Sequence, residues 1–169
     1  MAYAVVRIRG HAKIRSDVVE TLGQLRLTRV NHCVILPEDS TMRGMLQKVK
    51  DYVTWGEVSP ETIARMLLQR GELDAGAQLT DEFVRTRSAH PSLLAFAKAV
   101  GKGEAKLADL PSLSPVLRLP PPRRGYGNIK TTFRQGGNLG YRGPAIEALL
   151  ERMLPLVKTK AKGGKRRGE

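Results

Sequence analysis

The sequence predicts an α+β fold: a small sheet with helices packed on it, continued by a C-terminal extension of helices and short strands. Three observations predict it. Apolar residues alternate singly over Ala4–Arg9 and cluster as Val34-Ile35-Leu36, the marks of strands. Between and after them, Met42, Met45, Leu46 and Val49 recur at helical spacing, one apolar face. Finally, a Ser59-Pro60-Glu61 start follows the third apolar run, a cap residue ahead of a proline suited to the first helical position.

In order, Ala4, Val6 and Ile8 lie on one face of a first, half-buried strand, with Val5, Arg7 and Arg9 on the other; Gly10 ends it. Asp17 with Glu20 three residues on has the form of a capping box. Val18, Leu22 and Leu25 then follow at helical spacing, so a helix is expected over about 17–27. A second strand is expected over 31–36, a helix capped by Asp39 or Ser40, a third strand over Tyr52–Glu57 with Trp55, and a helix from Ser59 to Gly71. Strand, helix, strand, helix, strand, helix within about 70 residues means a small sheet covered by helices, the split or ferredoxin-like α/β sandwich.

Beyond residue 71, Asp81–Arg87 and Pro91–Val100 read as short helices, Leu107–Leu110 as a turn and Ser114–Leu119 as a strand ended by Pro120-Pro121-Pro122. Arg123–Asn128 reads as a loop, Ile129–Phe133 as a strand with Phe133 in the core, and Gln135–Gly143 as a Gly-rich loop. Pro144 opens a last helix with Ile146, Leu149, Leu150, Met153 and Leu154 on one face. The organisation expected is a core over 1–58, an extension over 59–157 packed on it, and a basic tail over 158–169. The tail has no large apolar face with which to offset its ordering entropy, so it is expected to be disordered alone.

The charge is uneven. The 169 residues carry 29 Lys plus Arg against 16 Asp plus Glu, a formal net charge of +13. Residues 59–115 are neutral on balance, whereas residues 116–144 hold six basic residues and no acidic one. A soluble surface normally intersperses both signs, so an acid-free stretch points to a polyanion partner. Arg118, Arg123, Arg124, Lys130, Arg134 and Arg142 alternate there with Tyr126, Phe133 and Tyr141. Arginine forks onto phosphate oxygens and aromatic rings stack on exposed bases. The glycines at 125, 127, 136, 137, 140 and 143 let backbone approach a crowded surface. Trp55 and Tyr52 read as packing residues.

Other chemistry is missing. Charges interrupt every apolar stretch, so no membrane span is expected, and the opening residues do not have the form of a signal peptide. Cys33 is the one cysteine, which excludes an intrachain disulfide, and with three scattered histidines it does not make a zinc motif. There is no phosphate-binding loop followed by Lys-Ser/Thr. Gly136-Gly137-Asn138-Leu139-Gly140 lacks the strand–loop–helix setting of a dinucleotide site. His32 and Cys33 are neighbours in a strand and point to opposite faces, so they do not pair as base and nucleophile. Asp81 and Glu82 read as first-turn helix charges. No enzyme activity, cofactor, metal or small-molecule substrate is expected.

Several stretches carry a family resemblance: Val6-Arg7-Ile8-Arg9-Gly10, Thr21-Leu22-Gly23-Gln24-Leu25-Arg26-Leu27, Val30-Asn31-His32-Cys33, Thr41-Met42-Arg43-Gly44-Met45 and Val49-Lys50-Asp51-Tyr52-Val53. The chain thereby resembles the large-ribosomal-subunit protein family L-thirty, whose eukaryotic member is called L-seven. The continuation through Trp55-Gly56-Glu57, Leu113–Leu119 and Gly136–Gly140 resembles the longer archaeal form; the resemblance covers about 1–154. It implies a ferredoxin-like core, no catalysis, a cytoplasmic place in the ribosome, and contact with large-subunit ribosomal RNA and neighbouring ribosomal proteins. By position it nominates Arg7, Arg9, Arg29, Asn31, His32 and Arg43 for RNA, beside the charge-derived set from Arg118 to Arg142. The rival expectations are a free-standing RNA-binding or nucleoid protein, and a ligand-binding regulator on the same sheet, since fold does not dictate function.

Overall fold

The computed structural model describes residues 1–74 and 76–155; the basic segment 158–169 lies outside the described residues. The elements are β1 (Ala2–Arg7), α1 (Ser16–Gln24), β2 (His32–Pro37), α2 (Ser40–Val49), β3 (Val53–Glu57), α3 (Pro60–Arg70), α4 (Asp81–Arg87), α5 (Leu93–Lys102), β4 (Val116–Arg118), β5 (Gly140–Tyr141) and α6 (Ile146–Met153). The strands form one mixed sheet in the order β4-β2-β1-β3-β5. β1 is antiparallel to both β2 and β3. β2 and β3 therefore run the same way with β1 between them, so β2–α2–β3 is a split β-α-β unit. The fold is α+β, in keeping with the ferredoxin-like expectation.

Both faces of the sheet are covered. Tyr3 and Val5 of β1, Val34, Val53 and Trp55 pack with Val18 and Leu22 of α1 and Leu46 and Val49 of α2. On the other face Ala2, Ala4, Val6 and Cys33 pack with Ile63 and Met66 of α3, Phe96 of α5 and Leu150 of α6. Two alanines on this face of the central strand let helix α5 lie close to the backbone. β1 is consequently buried at every position, which corrects the half-buried reading. A strand covered by helices on both sides loses its contact with water whatever its alternation.

Local chemistry explains most boundaries. The Ser59 hydroxyl accepts from the Thr62 N–H (3.4 Å) at the start of α3, with Pro60 in the first turn. The Thr80 and Ser92 side chains accept from the N–H groups of Phe83 and Ala95 at the starts of α4 and α5. α5 ends on Gly103 in the left-handed conformation (φ 82°), where a side chain would be strained. The capping box at Asp17 is not formed. Arg15 occupies the cap position, and Asp17 sits in the first turn with its carboxylate accepting from Val18 N–H at 3.0 Å. Asp39 precedes α2 without a side-chain cap bond.

The segment 129–141 departs most from expectation. Ile129–Phe133 is not a strand: Asn128 Oδ1 accepts from Lys130 N–H and Thr131 O from Asn138 N–H, so the chain bonds to itself. Phe133–Gln135 is a 3-10 turn. The Gly-rich loop instead supplies β5, parallel to β3, with Thr54 opposite Gly140 and Trp55 opposite Tyr141. Gly137 lies against the Thr131 backbone and Gly56 against the Gly143 carbonyl, so tightly that a Cβ at either position has no room. These two glycines serve internal packing, while Gly125 (φ 70°) and Gly136 (φ 81°) turn in open space.

Candidate nucleic-acid interface

The fourteen residues nominated from the sequence separate into four groups. Two arginines are inside. Arg7 is fully buried in the layer under α1 and α2. It donates from Nε to Arg9 O (2.9 Å) and from Nη1 to Leu27 O (2.7 Å). It ties the loop after α1 to the end of β1, and burial lowers its pKa. Arg142 is 8% exposed. It donates to Thr54 Oγ1 (2.8 Å) and to Asn138 O (2.8 Å), with its guanidinium 4.9 Å from the Phe133 ring centre. Burial pushes its pKa down to about 10, which leaves it charged at neutral pH. Neither side chain faces solvent. Both were nominated as RNA contacts, and burial removes them from that role: Arg142 is bound to Thr54 and Asn138, and Arg7 is bound through Nε and Nη1 to two carbonyls, with its Nη2 enclosed and unpaired. Phe133, expected in the core, is 38% exposed beneath Arg142.

A second group is joined to itself. Tyr126 donates its hydroxyl to Asn31 Oδ1, across 95 residues of chain, and its backbone carbonyl accepts from Asn138 Nδ2. Tyr126 packs against the buried cluster, and burial raises its phenol pKa. It fastens the arginine loop to the start of β2 rather than offering a ring to solvent. Asn31 has φ 68°, a conformation asparagine tolerates better than most residues.

A third group is at or near the surface, and all of it but His32, whose Nδ1 is buried without a partner, is tied. The Arg43 guanidinium is paired with the Glu38 carboxylate, which also accepts from the Tyr3 hydroxyl. Arg118 lies 3.4 Å from Glu72, and exposed pairs of this kind contribute little and exchange partners readily. Arg9 lies over the Tyr52 ring at 5.3 Å and reaches Asp51 O. Tyr141 is 41% exposed, with its hydroxyl on Glu57 Oε1 (2.5 Å), a bond that pushes its pKa up to about 12. His32 is half-buried; burial and the positive charges of Arg118 and Arg29 hold its pKa below the usual histidine value.

The fourth group is free of carboxylate partners. Arg29, Arg123, Arg124, Lys130 and Arg134 are exposed and have no carboxylate within ion-pair distance among the described residues. Arg123 and Arg124 border a depression with Arg152. Arg152 binds the carbonyls of Arg123 and Gly125, and Arg123 donates to Glu151 O (2.7 Å), so the loop is braced on the end of α6. A second basic concavity brings Arg43 and Arg134 together with Tyr141, Gln47 and Lys50. Arg152, Gln47 and Lys50 escaped the sequence reading. Positions 43, 47 and 50 are spaced i, i+4, i+7 and so share one face of α2, a signal that was present in the chain.

Outside these groups, Cys33 is buried among apolar side chains, which pushes its thiol up to about 12. Among the described residues no group of three or more His, Cys, Asp or Glu is placed to hold a metal ion, and no helix is long and apolar enough to cross a membrane.

A small mixed sheet covered by helices on both faces, with a net charge of +13 and several exposed cations that have no carboxylate beside them among the described residues, defines a class, the small basic α+β proteins. Comparison with known proteins narrows it. Residues 3–53 match the family described as "Ribosomal protein L30p/L7e". The chain is 44% identical over 151 residues to the "Large ribosomal subunit protein uL30" of Methanocella arvoryzae, covering 89% of this chain and 99% of that one. It is 48% identical over 152 residues to the protein of the same name from Methanoregula boonei (89% and 99%), and 46% over 152 residues to that from Methanosphaera stadtmanae (90% and 99%). The chain belongs to the uL30 family, whose members are structural, non-enzymatic proteins of the large ribosomal subunit. The family match ends in β3, whereas the relatives match through the extension as well.

Proposed function

We propose that this protein binds folded ribosomal RNA in the large subunit through the basic loops between β4 and β5, and that the residues from α3 onward act as an add-on that completes the core and presents those loops. One observation carries the reading. Of the six cations in the acid-free stretch 116–144, all but Arg142 are exposed. A body that turned this stretch inward would have needed carboxylates or carbonyls for each of them. The mechanism is charge neutralisation with shape fitting: Arg123, Arg124, Lys130 and Arg134 displace counterions from phosphates. Arg29, Arg118 and Arg9 extend the same basic surface around the start of β2, with His32 among them. Neighbouring ribosomal proteins are the second class of partner.

The reading is tested by measuring affinity for large-subunit RNA over a range of salt concentrations. A slope set by several phosphate contacts, reduced when loop arginines are replaced, supports it; an unchanged slope moves the surface elsewhere. Co-sedimentation with large subunits through high-salt washes separates this role from that of a free-standing RNA-binding protein.

A further inference from the structure

Between α2 and the segment 132–141 lies a cleft of about 380 Å³, floored by Trp55 of β3 and Tyr3 of β1. Its size is at the small end of the about 300–1,000 Å³ typical of small-ligand sites. It has room for one nucleotide and none for an RNA helix. Three cations surround it: Arg43 and Lys50 from the α2 side, and Arg134 from the 3-10 turn. Glu38 pairs with Arg43, while Lys50 and Arg134 have no carboxylate within ion-pair distance among the described residues.

The rest of the cleft is not what phosphate alone requires. Tyr141 lines the cleft and is 41% exposed as a residue. The ring is fixed from two sides: its hydroxyl is held by Glu57, and Trp55 lies 6.3 Å away with the planes tilted by 51°. A ring already held in place loses little freedom when a base stacks on it. Gln47 adds an amide, both donor and acceptor, on the face of α2 that lines the cleft. Cations for phosphate, a fixed aromatic face and an amide are the parts used to bind an unstacked base. An acidic peptide would engage the cations and leave the ring unused.

We infer that this cleft takes one unstacked nucleotide of ribosomal RNA, with its base on Tyr141, its edge toward Gln47 and its flanking phosphates on Lys50, Arg134 and Arg43. The inference rests on the RNA-binding reading above and adds a site to it.

Trp55 is the single tryptophan of the chain, so its emission reports on the cleft in the whole protein. The probes are an adenosine hexanucleotide, an RNA duplex of similar charge, inorganic polyphosphate and polyglutamate. Saturable quenching by the hexanucleotide, absent with duplex and polyphosphate, is expected. Tyr141→Leu should weaken hexanucleotide binding about tenfold, within the range of one base–aromatic stack. Tyr141→Phe, which keeps the ring and loses the bond to Glu57, should retain binding. Large-subunit RNA should still bind Tyr141→Leu through the arginine loops. Equal responses to hexanucleotide and polyphosphate overturn the inference, as do equal losses in the Leu and Phe variants or displacement of the hexanucleotide by polyglutamate. In each of these cases intact binding of large-subunit RNA leaves the broader reading standing; loss of that binding in the unmodified protein overturns both.

Discussion

The end of β1 and the loop at 123–134 are both rich in arginine, and the fold uses them in opposite ways. At the end of β1, Arg7 points into the layer beneath α1 and α2, where the carbonyls of Arg9 and Leu27 receive its donors. In the loop, turns at Arg124 and Gly125, both with positive φ, keep the backbone at the surface, and the side chains of Arg124 and Arg134 reach solvent. The difference does not lie in the residue type or the local charge. It lies in whether the acceptors stand inside the fold: the Leu27 carbonyl that receives Arg7 is enclosed with it, whereas Arg123 reaches the Glu151 carbonyl while staying at the surface. A buried guanidinium needs acceptors to offset the loss of its hydration; the loops after β1 and after α1 give Arg7 one each, and its Nη2 has none.

Replacing Arg7 is the strongest way to break this comparison. Arg7→Ala removes a buried side chain and leaves two carbonyls without a partner, so it should cost about 3 kcal/mol or more of stability in urea unfolding. The salt slope of RNA binding should be unchanged in the protein that remains folded. A small loss of stability with a reduced slope would make Arg7 a phosphate contact after all.

The opposite pattern is expected for Arg123, Arg124 and Arg134. Changing all three to Ala should alter stability by about 1 kcal/mol or less, as surface substitutions do. The slope of log affinity against log salt should fall by about 0.7–0.9 for each phosphate that is no longer neutralised. Unfolding curves and salt titrations on the same samples make the contrast direct.

Cys33 sharpens the comparison from the uncharged side. It is buried beside Ala4 and Val6, so Cys33→Ala should cost about 1 kcal/mol of packing and leave RNA binding intact. With its thiol pushed up to about 12, alkylation at neutral pH should proceed only as fast as the protein opens. Rapid alkylation of the native protein would contradict the burial.

The smallest effect concerns His32, held below the usual value of 6.5 by burial and by Arg118 and Arg29. The folded state binds its proton less readily than the unfolded chain. Stability should therefore fall as pH drops below about 6.5 and level off once the lowered pKa is passed. His32→Gln should flatten that part of the stability profile. An RNA phosphate placed among these arginines would favour the protonated ring, so bound RNA should reduce the same pH dependence.

The sequence by itself determined the secondary elements whose signals are local. Ser59-Pro60 starts α3 because a hydroxyl and a fixed φ act within one turn. Ile146, Leu149, Leu150 and Met153 make one face of α6 because helical spacing does not depend on the partner. The resemblance to the ribosomal family was equally legible, as it rests on residue order. The tertiary structure alone decided which charges are free. Arg142 and Arg134 stand in the same acid-free stretch, yet one is buried against Thr54 and Asn138 and the other faces solvent. It also turned 140–141 into a strand and left 129–133 without one. A strand exists only where an edge with open hydrogen-bonding groups is available, and β3 offers that edge to Gly140 and Tyr141. Burial of a charge and pairing of a strand both depend on partners far along the chain, and no window of sequence contains them.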